Sequence, residues 1–163
     1  MKILLIAGGW SSEREVSLTG ARGMQEALVR RGHAVTFFDL LEHFDDLLET
    51  ARQHDFALIN LHGSPGEDGL VQAMLEKADC PYQGSGPSGS FLALNKAAAK
   101  QIFRMAGLPT ADWEFLPVRP AAGWEPRLPW PLFVKSTTGG SSLRLGRAAN
   151  RQELDAIMDE IFA

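Results

Sequence analysis

Lys2-Ile3-Leu4-Leu5-Ile6-Ala7-Gly8-Gly9-Trp10-Ser11-Ser12-Glu13-Arg14-Glu15-Val16-Ser17-Leu18 stands at the start of the chain, and its reading decides the fold. Ile3 to Ala7 is an unbroken apolar run ended by two glycines, the pattern of a strand buried on both faces. Leu18, Ala21, Met24 and Leu28 then recur at helical spacing, and Gly32 supplies a stop after Arg30-Arg31. The same alternation continues outward. Ala34–Leu40 reads as a second strand, Phe44–Arg52 as a short helix, Phe56–Leu61 as a third strand and Leu70–Ala78 as a helix. Strands alternating with helices predict a parallel sheet covered on both faces, of Rossmann-like kind. Such sheets bind ligands beyond the carboxyl ends of their strands. The two most unusual loops, Gly8–Ser17 and His62–Gly69, each follow a strand, so both are expected at one crevice.

Composition limits the classes of function. The chain has 163 residues, 45% hydrophobic and 22% charged, which is ordinary for a globular protein. A net charge of −4 gives no basic field for nucleic acid or anionic lipid. Cys80 is the sole cysteine, which rules out an internal disulfide framework and a cysteine-based metal cluster. The initial apolar run is too short for a signal sequence, and no stretch nears the roughly 18 apolar residues of a membrane span. A cytoplasmic protein without membrane or nucleic-acid partners is the expectation.

The pattern changes after Cys80-Pro81. Gly84 to Ser90 is a Gly/Ser/Pro stretch before an Ala-rich helix from about Phe91 to Ala106, which Gly107-Leu108-Pro109-Thr110 stops. Trp113–Val118 and Leu132–Lys135 read as strands, and Asn150 followed by Glu153 fits a capping box for a last helix. Single crossover helices no longer join the strands. Two domains are therefore expected, 1–90 and 91–163, the second an incomplete α+β domain.

Four loops hold the candidate chemistry. In the first, the glycine pair lets the backbone turn sharply off the strand. Ser12 and Glu15 read as a capping box, and Glu13, outside that pair, is placed to hold a substrate ammonium. In the second, His62 sits among glycines 63, 66 and 69, while Glu67 and Asp68 complement the positive end of the next helix. One histidine beside adjacent carboxylates lacks metal-ligand spacing, so no metal site is expected here. The third, Gly84-Ser85-Gly86-Pro87-Ser88-Gly89, matches a dinucleotide fingerprint only formally: no strong strand precedes it, and no acidic residue follows about 20 positions on. A hinge or helix-capping loop is the sounder reading. The fourth, Gly139-Gly140-Ser141-Ser142, follows a strand ending in Lys135 and offers amides and hydroxyls to phosphates. Lys96 and Lys100 are further cations. No Walker A sequence and no nucleophile elbow occurs.

Together these stretches resemble the D-alanine–D-alanine ligase family of the ATP-grasp enzymes. The resemblance runs through Gly8-Gly9 with Ser12–Leu18, Leu61-His62-Gly63 with Gly66–Gly69, Pro81-Tyr82 with Gly84-Ser85-Gly86, Lys96, Gly107–Thr110, Val134-Lys135 and Gly140-Ser141-Ser142. It implies a pre-ATP-grasp sheet followed by part of an ATP-grasp central domain. It also implies ATP-dependent joining of two D-alanines through an acyl-phosphate, with Mg2+ whose ligands are expected outside these residues. By resemblance Glu13 holds the ammonium of the first D-alanine and His62 lies beside it. Lys96 and Lys135 contact ATP phosphates. Ser141 and Ser142 belong to the loop closing over them, with Ser141 also anchoring Glu13. A homodimer is usual for such enzymes.

Departures from the family's pattern accompany the matches. Leu94-Asn95 precedes Lys96, Ser136 follows Lys135, and Arg144 follows Leu143 after the paired serines. The resemblance thus predicts a portion of a ligase that is inactive by itself. The alternatives are a non-catalytic D-amino acid or nucleotide module, one half of a split ligase, and a Rossmann dinucleotide enzyme.

Overall fold

A computed structural model describes residues 1–139 and 145–163, which fall into two compact units, Met1–Leu94 and Asn95–Ala163. In the first, β1 (Lys2–Ala7) is the central strand, flanked by β2 (Ala34–Asp39) and β3 (Phe56–Ile59) in the order β2-β1-β3. Both pairings are parallel, and Ile3 lies opposite Val35 on one side and Phe56 on the other. Side chains alternate across a strand, so successive residues of β1 enter different cores. Leu4 and Ile6 pack with Phe38, Leu47, Val71 and Leu75 on one face; Leu5 and Ala7 pack with Ala21, Leu18 and Phe37 on the other. Leu4, Leu5 and Ile6 are fully buried, each worth about 1.5–3 kcal/mol. That two-sided burial is why the run is unbroken in apolar character.

The helices follow from the same pattern. α1 (Arg14–Arg30) covers one face, while α3 (Leu47–Ala51) and α4 (Leu70–Lys77) contribute to the other. Gly32, at φ +82, turns the chain after α1 as expected. Between β2 and α3 the chain forms α2 (Leu40–His43) and a 3-10 turn at Phe44–Asp46, so the single helix expected over Phe44–Arg52 is broken and begins earlier. Asp39 ends β2 because its carboxylate accepts the Leu41 N–H at 3.1 Å and caps α2. Beside β3, Ala57 N–H donates to Pro81 C=O at 2.8 Å. The Gln83 amide takes the Ile59 N–H at 2.9 Å and donates to the Ile59 carbonyl at 2.6 Å. Residues 81–83 thus occupy part of the β3 edge as a rudimentary parallel neighbour.

The stretch after Gly84 departs from expectation in two ways. Helix α5 (Pro87–Leu94) starts inside the Gly/Ser/Pro segment, four residues before the predicted start at Phe91. Proline is well suited to a first helical position, where its missing N–H has no intrahelical partner in any case. The helix then breaks at Asn95, whose extended backbone and side-chain bond to the Ala98 N–H at 3.1 Å cap a new helix, α6 (Lys96–Met105). One long Ala-rich helix is therefore two.

In the second unit, β4 (Leu132–Lys135) and β5 (Leu145–Ala148) pair antiparallel, and α7 (Arg151–Phe162) packs on them through Leu154, Ile157 and Met158. Gly146 permits this approach, since a Cβ there would lie 2.5 Å from Ile157 Cδ1. The expected Asn150–Glu153 cap is present in shifted form: Glu153 N–H donates to Asn150 Oδ1 at 3.0 Å, and Glu153 Oε2 accepts the N–H of Ala149, one residue before the cap, at 2.8 Å. Trp113–Val118, expected as a strand, is irregular. Side chains rather than a ladder hold it. Trp113 lies under the Lys100 ammonium and the Arg104 guanidinium, at 5.3 and 4.3 Å from the ring centroid, and Glu114 binds Arg127. Leu116 packs into the core beside Leu132 and Val134.

Candidate functional site

Gly8 and Gly9 follow β1 with φ of +77 and +78, a left-handed turn that other residues rarely adopt. The glycine at position 8 also clears space: a Cβ there would lie 2.4 Å from Arg14 Nη1 and 2.6 Å from Asp39 Oδ1. These two side chains form a two-pronged pair at 2.7 and 2.6 Å, and Arg14 reaches the Gly9 carbonyl at 3.3 Å. The bond from Arg14 holds Asp39 below the ordinary carboxylate range and raises Arg14 in turn. The pair ties the end of β2 to the start of α1.

α1 starts without the expected Ser12/Glu15 capping box. Glu13 occupies the cap position with no side-chain cap bond, and Ser12 is exposed. Ser11 carries the local turn instead, its hydroxyl accepting the Glu13 N–H at 3.2 Å and its carbonyl the Arg14 N–H at 3.2 Å. The shift of one residue makes room for Glu13 at the positive end of a 17-residue helix, a favourable place for a carboxylate.

The second loop meets the first. A Cβ on Gly9 would touch Leu61 Cδ2 at 3.3 Å and Pro65 Cδ at 3.5 Å, and one on Gly63 would touch Ser11 Cβ at 3.3 Å and Glu13 Oε2 at 3.9 Å. The Glu13 carboxylate therefore lies against the backbone of the residue following His62, and both side chains are half-buried. The second loop is stiffened from below. Gln72 Nε2 donates to the Gly66 carbonyl at 2.6 Å, Glu67 N–H donates to Gly63 at 2.8 Å, and Asp68 Oδ1 accepts the Leu70 N–H at 3.0 Å. Glu67, expected with Asp68 at the end of α4, is exposed. An open depression of about 460 Å³, lined by Asp68, Gly69, Pro87, Ser88, Phe91 and Leu92, adjoins this loop but includes neither Glu13 nor His62.

In the second unit Lys96 is tied to the loop that follows Lys135. Lys96 Nζ donates to the Gly139 carbonyl at 2.5 Å and its N–H to Thr137 C=O at 2.9 Å. Burial, and then the nearby positive charge of Lys135, push Lys96 below the usual lysine range. A lysine whose charged form is disfavoured by burial and by a neighbouring cation suits an anion. Lys100 is used otherwise, bonded to Thr110 Oγ1 and Ala111 C=O, each at 2.8 Å. Ser141 and Ser142 lie outside the described residues. Among the described residues there is no group of three or more His, Cys, Asp or Glu side chains that could hold a metal ion.

Sequence reasoning singled out Glu13, His62, Lys96 and Lys135 as candidates and gave no role to the residues that hold the first two loops: Arg14, Ser17, Asp39, Asn60 and Gln72. Asn60 left a usable signal, a polar side chain within the otherwise apolar run Phe56–Leu61.

No protein-family model matches the chain. It is 76% identical over its whole length to a D-alanine–D-alanine ligase of Desulfovibrio desulfuricans and 64% identical to one of Nitratidesulfovibrio vulgaris, covering 53% and 54% of those proteins. The crystal structure of D-alanine–D-alanine ligase from Bacillus anthracis complexed with ATP matches 99% of the chain and 55% of its own, at 35% identity and a TM-score of 0.85. The chain spans about half the length of the curated relatives it matches. Over all 163 residues it therefore carries the resemblance to the D-alanine–D-alanine ligases that its motifs express, and its α/β fold is theirs.

Proposed function

We propose that this chain is the amino-terminal portion of an ATP-dependent D-alanine–D-alanine ligase. One observation carries the reading: the carboxylate of Glu13 meets the His62 loop at the carboxyl ends of a parallel sheet, in a chain so similar to such ligases. Glu13 would accept hydrogen bonds from the ammonium of the first D-alanine, with charge assistance. His62, half-buried beside it, would border the same amino acid. Lys96 and Lys135 would neutralise ATP phosphates, and the lowered affinity of Lys96 for its proton supports a place kept for an anion. ATP supplies the phosphoryl group that makes the first carboxylate reactive toward the second amine. Ser141 and Ser142 remain assigned to the phosphate loop on the sequence resemblance. Magnesium is expected with ATP on the sequence resemblance, its ligands outside these residues, and no step is assigned to it.

No described helix is long and apolar enough to cross a membrane. The reading adds a cytoplasmic setting, where ATP is available, and D-alanine and ATP as the small-molecule partners. Dipeptide formation is assigned to the completed enzyme, not to these 163 residues alone.

The test is a chimera joining this chain, in register, to the remaining length of the Desulfovibrio desulfuricans relative. ATP-dependent D-alanyl-D-alanine formation is expected, and Glu13→Gln should raise KM for D-alanine by roughly 10- to 100-fold through loss of a charged hydrogen bond. A folded chimera that binds D-alanine yet makes no dipeptide would favour a non-catalytic module, which the half-length match also permits. One that neither binds D-alanine nor makes dipeptide would overturn the proposal.

A further inference from the structure

Ser17 is fully buried one turn into α1, where an alanine would satisfy the helix and the core equally well. Its hydroxyl instead joins two strand ends. Oγ accepts the Gly8 N–H at 2.8 Å, just after β1, and donates to the Asn60 carbonyl, just after β3. Asn60, itself buried, returns the link: its side-chain amide donates to the Ser17 carbonyl at 2.7 Å, and its N–H donates to Ile6 C=O at 2.8 Å. Gly20 leaves the room this needs, since a Cβ there would lie 3.1 Å from Asn60 Nδ2. The Ser17 hydroxyl both accepts and donates here, and Asn60 bonds through its N–H, its carbonyl and its side-chain amide, so the knot is costly to break.

The knot sits between the two loops. Ser17 N–H donates to the Glu13 carbonyl at 3.1 Å, so Ser17 is hydrogen-bonded to the backbone that presents the carboxylate. Asn60 lies two residues before His62 on the opposite side of the link. We propose that Ser17, through its reciprocal bonds with Asn60, is a positioning residue that fixes the separation of Glu13 and His62 and thereby the affinity for the amino acid between them. This rests on the reading that these loops receive D-alanine.

The experiment uses the chimera completed with the remaining length of the relative, as wild type, Ser17→Ala and Ser17→Cys, the last keeping a weak donor and acceptor at the same place. Two quantities are read: backbone amide NMR shifts without ligand, and affinity for D-alanine and for ATP. In Ser17→Ala the amides of Ser11, Glu13 and Gly63 should move, D-alanine affinity should fall about tenfold, on the order of one lost buried bond, and ATP affinity should stay unchanged. Ser17→Cys should lie between the two and restore part of the D-alanine affinity. If Ser17→Ala does not fold, the comparison of Ser17→Cys with wild type decides in the same terms. Shifts confined to Gly8, Ser17 and Asn60, or D-alanine binding equal to wild type in a folded variant, would overturn the inference. If the loop amides move but wild type itself shows no saturable D-alanine binding, the linkage of the loops stands and the substrate assignment falls.

Discussion

Asp39 shows how one residue can stand outside the binding chemistry and still govern it. Its pair with Arg14 is only partly exposed, at 13% and 24% of the side chains, so the attraction is less screened than on an open surface. The folded-state affinity of Asp39 for a proton is lowered by Arg14. The pair's contribution is therefore complete above the unfolded carboxylate value near about 4 and is lost as pH falls through the lower folded value. Asp39→Asn should cost about 1–2 kcal/mol in urea unfolding at neutral pH, and its deficit relative to wild type should shrink in acid. Gly66 makes a second case. A Cβ there would lie 2.1 Å from Leu61 Cβ and 3.2 Å from Leu61 backbone atoms, so Gly66→Ala should cost roughly 3 kcal/mol or displace the His62 loop. Thermal unfolding and the Gly63 amide shift distinguish those outcomes. At this scale Glu13 and His62 stood out as candidates because loops after strands concentrate unusual residues. Arg14–Asp39 and Ser17–Asn60 were not, because they join positions 25 and 43 apart with no period to mark them.

Elements with a strong local code read most directly. β1 and α1 follow from apolar runs and helical spacing, and the cap of α7 from Asn150 and Glu153. Where tertiary contacts decide, the reading failed. Trp113–Val118 has strand-like composition, yet cations over Trp113 and the burial of Leu116 fix it without a ladder. The break between α5 and α6 depends on a single side chain, Asn95, which caps the turn carrying Lys96. Asn95→Ala should destabilise by about 1 kcal/mol, and denaturant unfolding followed by helical circular dichroism measures it. A phosphate bound at Lys96 would raise the depressed affinity of that lysine for its proton. ATP binding should then take up protons at alkaline pH and weaken as pH rises through the lowered Lys96 value. Titration calorimetry in buffers of different ionisation enthalpy reads that uptake, and Lys96→Met should abolish it.

For the molecule as a whole, the two units divide the proposed labour, Met1–Leu94 holding the amino acid and Asn95–Ala163 holding phosphates. The α/β class, the parallel sheet and the family resemblance were readable from strand–helix alternation and loop motifs, whereas the order β2-β1-β3 was not. That the two loops share one edge was also expected; the side-chain contacts that join them required the structure. Should the division hold, D-alanine affinity will respond to Glu13→Gln and not to Lys96→Met, while ATP affinity shows the reverse. The decisive measurement is a set of intermolecular nuclear Overhauser contacts between bound D-alanine and the isotope-labelled chain. Contacts from its methyl and α protons to the His62 ring and the Glu13 side chain, absent with L-alanine, are the predicted result. Saturable D-alanine binding with contacts elsewhere and none to either loop would contradict the account.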